Sequence, residues 1–202
     1  MQQTDSEGTQ DAAVSEYTVG DVVAIMVELG LIDAGTLAQT SVADALDESL
    51  DYYDDTVQGA VRDLLSEVEI QYVLDYKTFR GIGERTRAER QQWYAEELEA
   101  IAQCSRGTVT ITDVRLVGDG LDQTLQFESN GVTQIWPVHP GANEDMEASL
   151  IFAEWVTELH TGVAERFYAV DPHDEDLNGE AVFGELGALN RFGAHFGLTF
   201  GP

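Results

Sequence analysis

Five residues in one acidic stretch have the types and the spacing to hold a cation. Asp174, Asp176, Asn178, Gly179 and Glu185 follow the D-x-[DN]-x-[DN]-G-x5-E pattern of a calcium-binding EF-hand loop. There, carboxylate and amide oxygens converge on one ion and the glycine makes the sharp turn. The flanking sequence argues for a plainer use. The preceding RFYAVDPH reads as extended, where an EF-hand needs an entering helix, and Pro172 stands just before the loop. The eighth loop position is only Ala181, and no second loop is present to pair with. A hydrated loop between strands explains the same letters and is the preferred reading. Calcium at Asp174, Asp176, Asn178 and Glu185 is kept as the alternative, with no other cofactor expected.

Acid is the background of the whole chain. Its 202 residues carry 38 Asp and Glu against 10 Lys and Arg, a formal net charge of −28, with hydrophobic residues at 43%. That hydrophobic share suits a folded protein and is too high for a disordered acidic tail. Self-repulsion at this charge destabilises a compact state in dilute salt. Near 1 M salt the Debye length falls to about 3 Å and removes most of the penalty. Of the ten basic residues only Lys77 is a lysine. Scarce lysine, retained arginine and evenly spread carboxylates together point to the cytoplasm of a salt-accumulating halophile. Cys104 is the only cysteine, which suits a reducing compartment and a buried apolar role. The first residues have neither a basic nor an apolar segment of a secretion signal, and no apolar run is long enough to span a membrane. A soluble cytoplasmic protein is expected.

Against that background, clustered bases stand out. Lys77, Arg80, Arg85, Arg87 and Arg90 lie within YKTFRGIGERTRAERQQWY. Guanidinium forks suit carboxylates or phosphates, yet GIGERT lacks the Lys-Ser/Thr of a Walker loop and the G-x-G-x-x-G spacing. The plainest use is neutralising acids of the helical half or a subunit contact, so a homo-oligomer is one expectation. A partner protein docking on Arg80, Arg85, Arg87 and Arg90 is the functional one. Upstream, ADALDESLDYYDDTVQGAVRDLLSEVEI has the rhythm of a helix-turn-helix, offering Gln58 and Arg62 to bases. Asp51, Asp54 and Asp55 would then face phosphates, against the cationic contacts that DNA binding needs. Nucleic acid is therefore the lesser alternative, and a core-forming helix pair the better reading.

Enzyme signals are thin. His139, His160, His173 and His195 match no metal spacing, and no G-x-S-x-G elbow places a nucleophilic serine. Trp93, Trp136 and Trp155 read as core. Trp136 or Phe127 would form a binding patch only if exposed.

The positioning elements follow from periodicity. Residues 1–16 are polar and read as a disordered tail. Residues 17–104 read as helical: GDVVAIMVELG capped by Asp21 and ended by Gly30, a broken helical stretch after it, and an amphipathic helix from Val57 through Tyr72. A long helix follows, opened by the Thr86/Glu89 capping box and closed by Gly107. From 105 to 202 the pattern becomes β-β-β-α-β-(β)-α, with SNG at 129–131 as a hairpin turn. The expected fold is α+β, a helical bundle packed on a small, mainly antiparallel sheet and sharing one core with it. The leading function is a non-enzymatic protein-interaction module.

If the carboxylates answer to salt as a whole, the thermal midpoint rises steeply as KCl goes from dilute buffer towards molar concentration. A melting curve that does not move with salt would remove the halophile reading.

Overall fold

Thr18 opens the first helix, α1 (Val19–Glu28). Its side chain accepts from the Asp21 amide at 3.2 Å, and the Asp21 carboxylate accepts from the Thr18 amide at 2.8 Å. Asp21 is thus the third-residue partner of a capping box and Thr18 the cap, one turn earlier than the sequence suggested. These hydrogen bonds hold the Asp21 carboxyl below its ordinary range. The computed structural model describes residues 14–75, 77–120, 122–140, 156, 158–172 and 177–201. Of the expected tail, 1–13 lie outside the described residues, whereas Val14–Glu16 form a 3-10 turn and Val14 packs on the core.

The broken helical stretch becomes α2 (Ala34–Leu37), capped by Asp33, and 3-10 turns at Ser41–Asp44 and Leu50–Tyr52. Helix α3 (Val57–Glu67) starts at the Thr56 cap and stops short of Tyr72. Glu69 takes a left-handed φ of 58°, after which the chain runs extended as β1 (Gln71–Asp75). This corrects the sequence expectation. Ile70, Tyr72 and Val73 favour a pleated surface, and an apolar residue four positions after Val68 fits a strand as well as a helix turn.

Helix α4 (Arg87–Gln103) opens with the expected Thr86/Glu89 box. Strands β2 (Ile111–Asp119), β3 (Asp122–Ser129) and β4 (Val132–Val138) form an antiparallel meander in the order β2-β3-β4. Asn130 and Gly131 turn the second hairpin at φ 50° and 75°, the two positive angles a type I′ turn requires. The helix expected around 146–160 falls mostly outside the described residues; Val156 and Leu159 are buried. Strands β5 (Arg166–Asp171) and β6 (Leu177–Gly184), helix α5 (Leu186–Phe196) and β7 (Thr199–Gly201) complete the chain. The second sheet is antiparallel throughout, in the order β1-β6-β5-β7. The fold is α+β.

Strand alternation divides the core in two. On one face of the four-stranded sheet, Val182, Val170 and Phe200 pack with Val22, Met26, Val61, Leu65 and Phe192 of α1, α3 and α5. On the other, Tyr72, Leu74, Ala181, Phe183 and Phe167 pack with Tyr94, Leu98 and Ile101 of α4 and with Leu116, Leu125, Phe127 and Trp136 of the meander. Both cores draw on residues from before and after position 104, so the helical half and the α+β half are interleaved through β1. The short return from α5 to β7 is tight: a Cβ on Gly193 would come within 2.2 Å of the Leu198 carbonyl oxygen.

One polar cluster lies beneath α3. Glu180, 3% exposed on the interior strand β6, accepts from Gln71 Nε2 at 2.9 Å and pairs with Arg62 Nε at 3.7 Å. Arg62 also donates to the Pro172 carbonyl at 2.8 Å. The ion pair fixes which way the amphipathic helix sits on the sheet. Arg62→Met removes the cation beside a buried carboxylate and is expected to lower unfolding free energy by about 3–5 kcal/mol. Arg62→Met with Glu180→Leu should recover most of that loss in the same denaturant titration. A single variant that costs nothing measurable would show that the pair is not fixing the helix.

Candidate functional site

Two of the clustered arginines, Arg87 and Arg90, turn out to bind main chain. Arg87 donates to the Leu116 carbonyl of β2. Arg90, 8% exposed, donates to the Arg85 carbonyl at 2.7 Å and reaches the Gly120 carbonyl in the β2–β3 turn at 3.5 Å. The Arg85 guanidinium lies 5.6 Å over the Trp93 ring, a cation–π contact. Arg80 is exposed in the turn that follows β1. Arg87 and Arg90 therefore fasten the start of α4 to the meander, while Arg85 packs on α4 itself. Gln91 adds to the fastening, its Oε1 accepting from the Leu116 amide at 3.0 Å.

Of the EF-hand pattern, the described positions Asn178 and Glu185 lie far apart along the chain. Asp174 and Asp176 lie outside the described residues. Asn178 is in strand β6, in the stretch that runs beside β1. Glu185 caps α5, its carboxylate accepting from the amides of Gly187 at 3.2 Å and Ala188 at 2.9 Å. Seven residues of extended chain span about 23 Å, so Asn178 and Glu185 stand at opposite ends of the strand. Among the described residues, no three His, Cys, Asp or Glu side chains are placed to hold a metal.

Other sequence candidates find structural uses. Arg62 is engaged with Glu180 and Pro172, and the Gln58 amide lies against Gly197, 2.9 Å from where a Cβ would stand. Neither is presented on a free helix face beside the arginines, as base reading would require. Trp136 and Phe127 are buried, their ring centroids 4.7 Å apart, so neither forms a patch. Their alternation instead puts Ile135 outward, 60% exposed. Trp155 and His173 lie outside the described residues. No helix among the described residues is long and apolar enough to cross a membrane.

Burial sets the chemistry of the second half of α4. The Tyr72 hydroxyl donates to the Glu97 carboxylate. Burial pushes the Glu97 carboxyl above its ordinary value and the Tyr72 phenol well above its own. The Cys104 thiol, 3.2 Å from the Gln71 carbonyl oxygen, is pushed up to about 12 by burial, which leaves it protonated and unreactive at neutral pH.

Beside this half of the helix runs a feature that no sequence motif marked. An open groove of about 820 Å³ separates α4 from the first half of β2. Ala95, Glu99, Ala102 and Gln103 form its helical wall. Thr110, Ile111, Thr112, Asp113 and Val114 form the opposite wall. Side chains alternate between the faces of a sheet, so five consecutive residues lining one groove mean that the strand is presented edge-on. β2 is an edge strand of the meander. The Asn130 amide bonds the Thr110 carbonyl at 3.1 Å, which turns the main-chain groups of the next residue, Ile111, away from β3. Asp113, at φ 55°, begins a bulge before the register resumes at Arg115. At Leu116, Gln91 and Arg87 close the edge. The features that mark this site, the edge position of β2 and the left-handed Asp113, are ones that a single sequence does not supply.

Comparison with family models, with curated proteins and with solved structures finds no match for this chain.

The raised Glu97 carboxyl carries a sign. The folded state holds this proton more tightly than the unfolded chain, so the group lowers stability as pH climbs from the ordinary glutamate range through its raised folded value. Glu97→Gln keeps an acceptor for Tyr72 and removes the titration. Its melting temperature should gain on the parent's as pH rises through that window and match it most closely at acid pH. A gap that shrinks with rising pH would contradict the assignment.

Proposed function

We propose that this chain is a non-enzymatic protein-interaction module of a salt-rich cytoplasm, docking an extended segment of a partner protein in the groove between α4 and the edge of β2. The observation that carries this reading is the edge-on wall from Thr110 to Val114. Edge strands with open main-chain groups are templates for an added strand, and strand addition into a groove walled by a helix is a recurrent mode of peptide capture. Small side chains at Ala95 and Ala102 leave the helical wall shallow enough for a chain to lie against it. The halophile setting rests on the composition: 38 acidic residues against 10 basic ones, with lysine nearly absent. The same setting favours main-chain hydrogen bonds and apolar contact over long-range charge, because dense electrolyte screens the latter.

A photo-crosslinking residue at Thr112 tests the site, with one at Glu28 on an exposed turn of α1 as the control. In high-salt lysate, adducts should form at Thr112 and disappear when Ala95→Tyr fills the groove. Equal adducts from both positions, or adducts at Thr112 that survive the filled groove, would overturn the reading.

A further inference from the structure

The charge of the groove decides what can lie in it, and this step rests on the docking reading above. Glu69 in the turn from α3 to β1, Glu99 on α4 and Asp113 at the bulge bring three carboxylates to the groove from three separate elements. All three are exposed, so their field reaches an incoming chain. Arg106 is the single base of the lining, and its charge is engaged inward. Its guanidinium donates to the Leu31 carbonyl and the Glu165 carboxylate and lies 5.8 Å from the Phe183 ring centroid. Between the acids, Ala95, Ala102, Val109, Ile111 and Val114 supply small and apolar surface.

We propose that the occupant is an extended peptide segment of alternating character, with lysine or arginine on the side facing Glu69, Glu99 and Asp113 and small aliphatic residues on the other. An added strand presents every second side chain to the same side, about 7 Å apart. One such row meets the acidic lip while the other packs on the apolar floor. Cations at direct hydrogen-bonding distance keep their attraction in brine, because contact pairs lie within the Debye length that erases remote charge. An acidic segment would face three unneutralised carboxylates at the same distance. Like charges in contact cost affinity in any electrolyte.

The test uses the full chain in molar KCl with three labelled peptides, one alternating lysine and valine, one glutamate and valine, and one threonine and valine. Fluorescence anisotropy gives affinity, and hydrogen exchange at the amides of Ile111 to Val114 gives location. The lysine peptide should bind at least about tenfold more tightly than the glutamate peptide and slow exchange at those amides. Glu69→Gln, Glu99→Gln and Asp113→Asn combined should abolish the preference while leaving exchange at the Leu116 amide unchanged. Equal affinity of all three peptides with protection at β2 would overturn the charge preference and leave docking standing. Protection by none of them would overturn docking as well. Binding of the lysine peptide without β2 protection, the diffuse attraction expected of any strongly acidic surface, would also count against the proposal.

Discussion

Two antiparallel sheets leave an open edge towards the same helix, and the fold depends on how that helix meets both. β1 ends the four-stranded sheet and β2 ends the meander. At the far end of α4, the Cys104 thiol takes the Gln71 carbonyl of β1. Near its start, Gln91 and Arg87 take the amide and carbonyl of Leu116 in β2. An edge left bare pairs with another chain, so these few bonds keep each sheet at its own width. The apolar face of α4, through Tyr94, Leu98 and Ile101, then fills the space between the sheets. The groove is the length of β2 that the helix passes without covering.

The proposed docking and the stability of the fold meet in this arrangement. Had α4 carried further side chains able to reach Ile111 and the bulge, the meander would be closed along its whole edge and would offer nothing to a partner. Small residues at Ala95 and Ala102 in place of longer donors leave it open. The bulge at Asp113 twists the strand there, a device that edge strands use against indiscriminate pairing.

The α+β class, the meander, the Thr86/Glu89 box and the Asn130–Gly131 turn were legible in the sequence because each depends on local chemistry alone. β1 was not. Its residues continue the apolar spacing of α3, and only the left-handed Glu69 and the waiting edge of β6 make them extended. Asp21 was misplaced by one helical turn, read as the cap where it is the third helical residue, because Thr18 and Asp21 both suit the start of a helix and the reciprocal bonding shows only in three dimensions. The arginine cluster was visible as an anomaly of composition, but the acceptors of Arg87 and Arg90 are carbonyls, and no sequence pattern marks a carbonyl as free. For the same reason the groove left no trace: it is built from main chain, and its side chains are the commonplace Ala, Thr, Val and Glu.

The acceptors of Arg87 and Arg90 also bear on why nine of the ten bases are arginine. A carbonyl dipole attracts no cloud of counter-cations, so dissolved potassium competes for it far less than for a carboxylate. The planar fork lets one side chain reach two carbonyls, Arg85 and Gly120 in the case of Arg90, where an ammonium offers only a compact, strongly hydrated point. A joint fastened this way holds with nearly equal strength in fresh water and in brine, whatever the ionic medium does to the acidic surface around it.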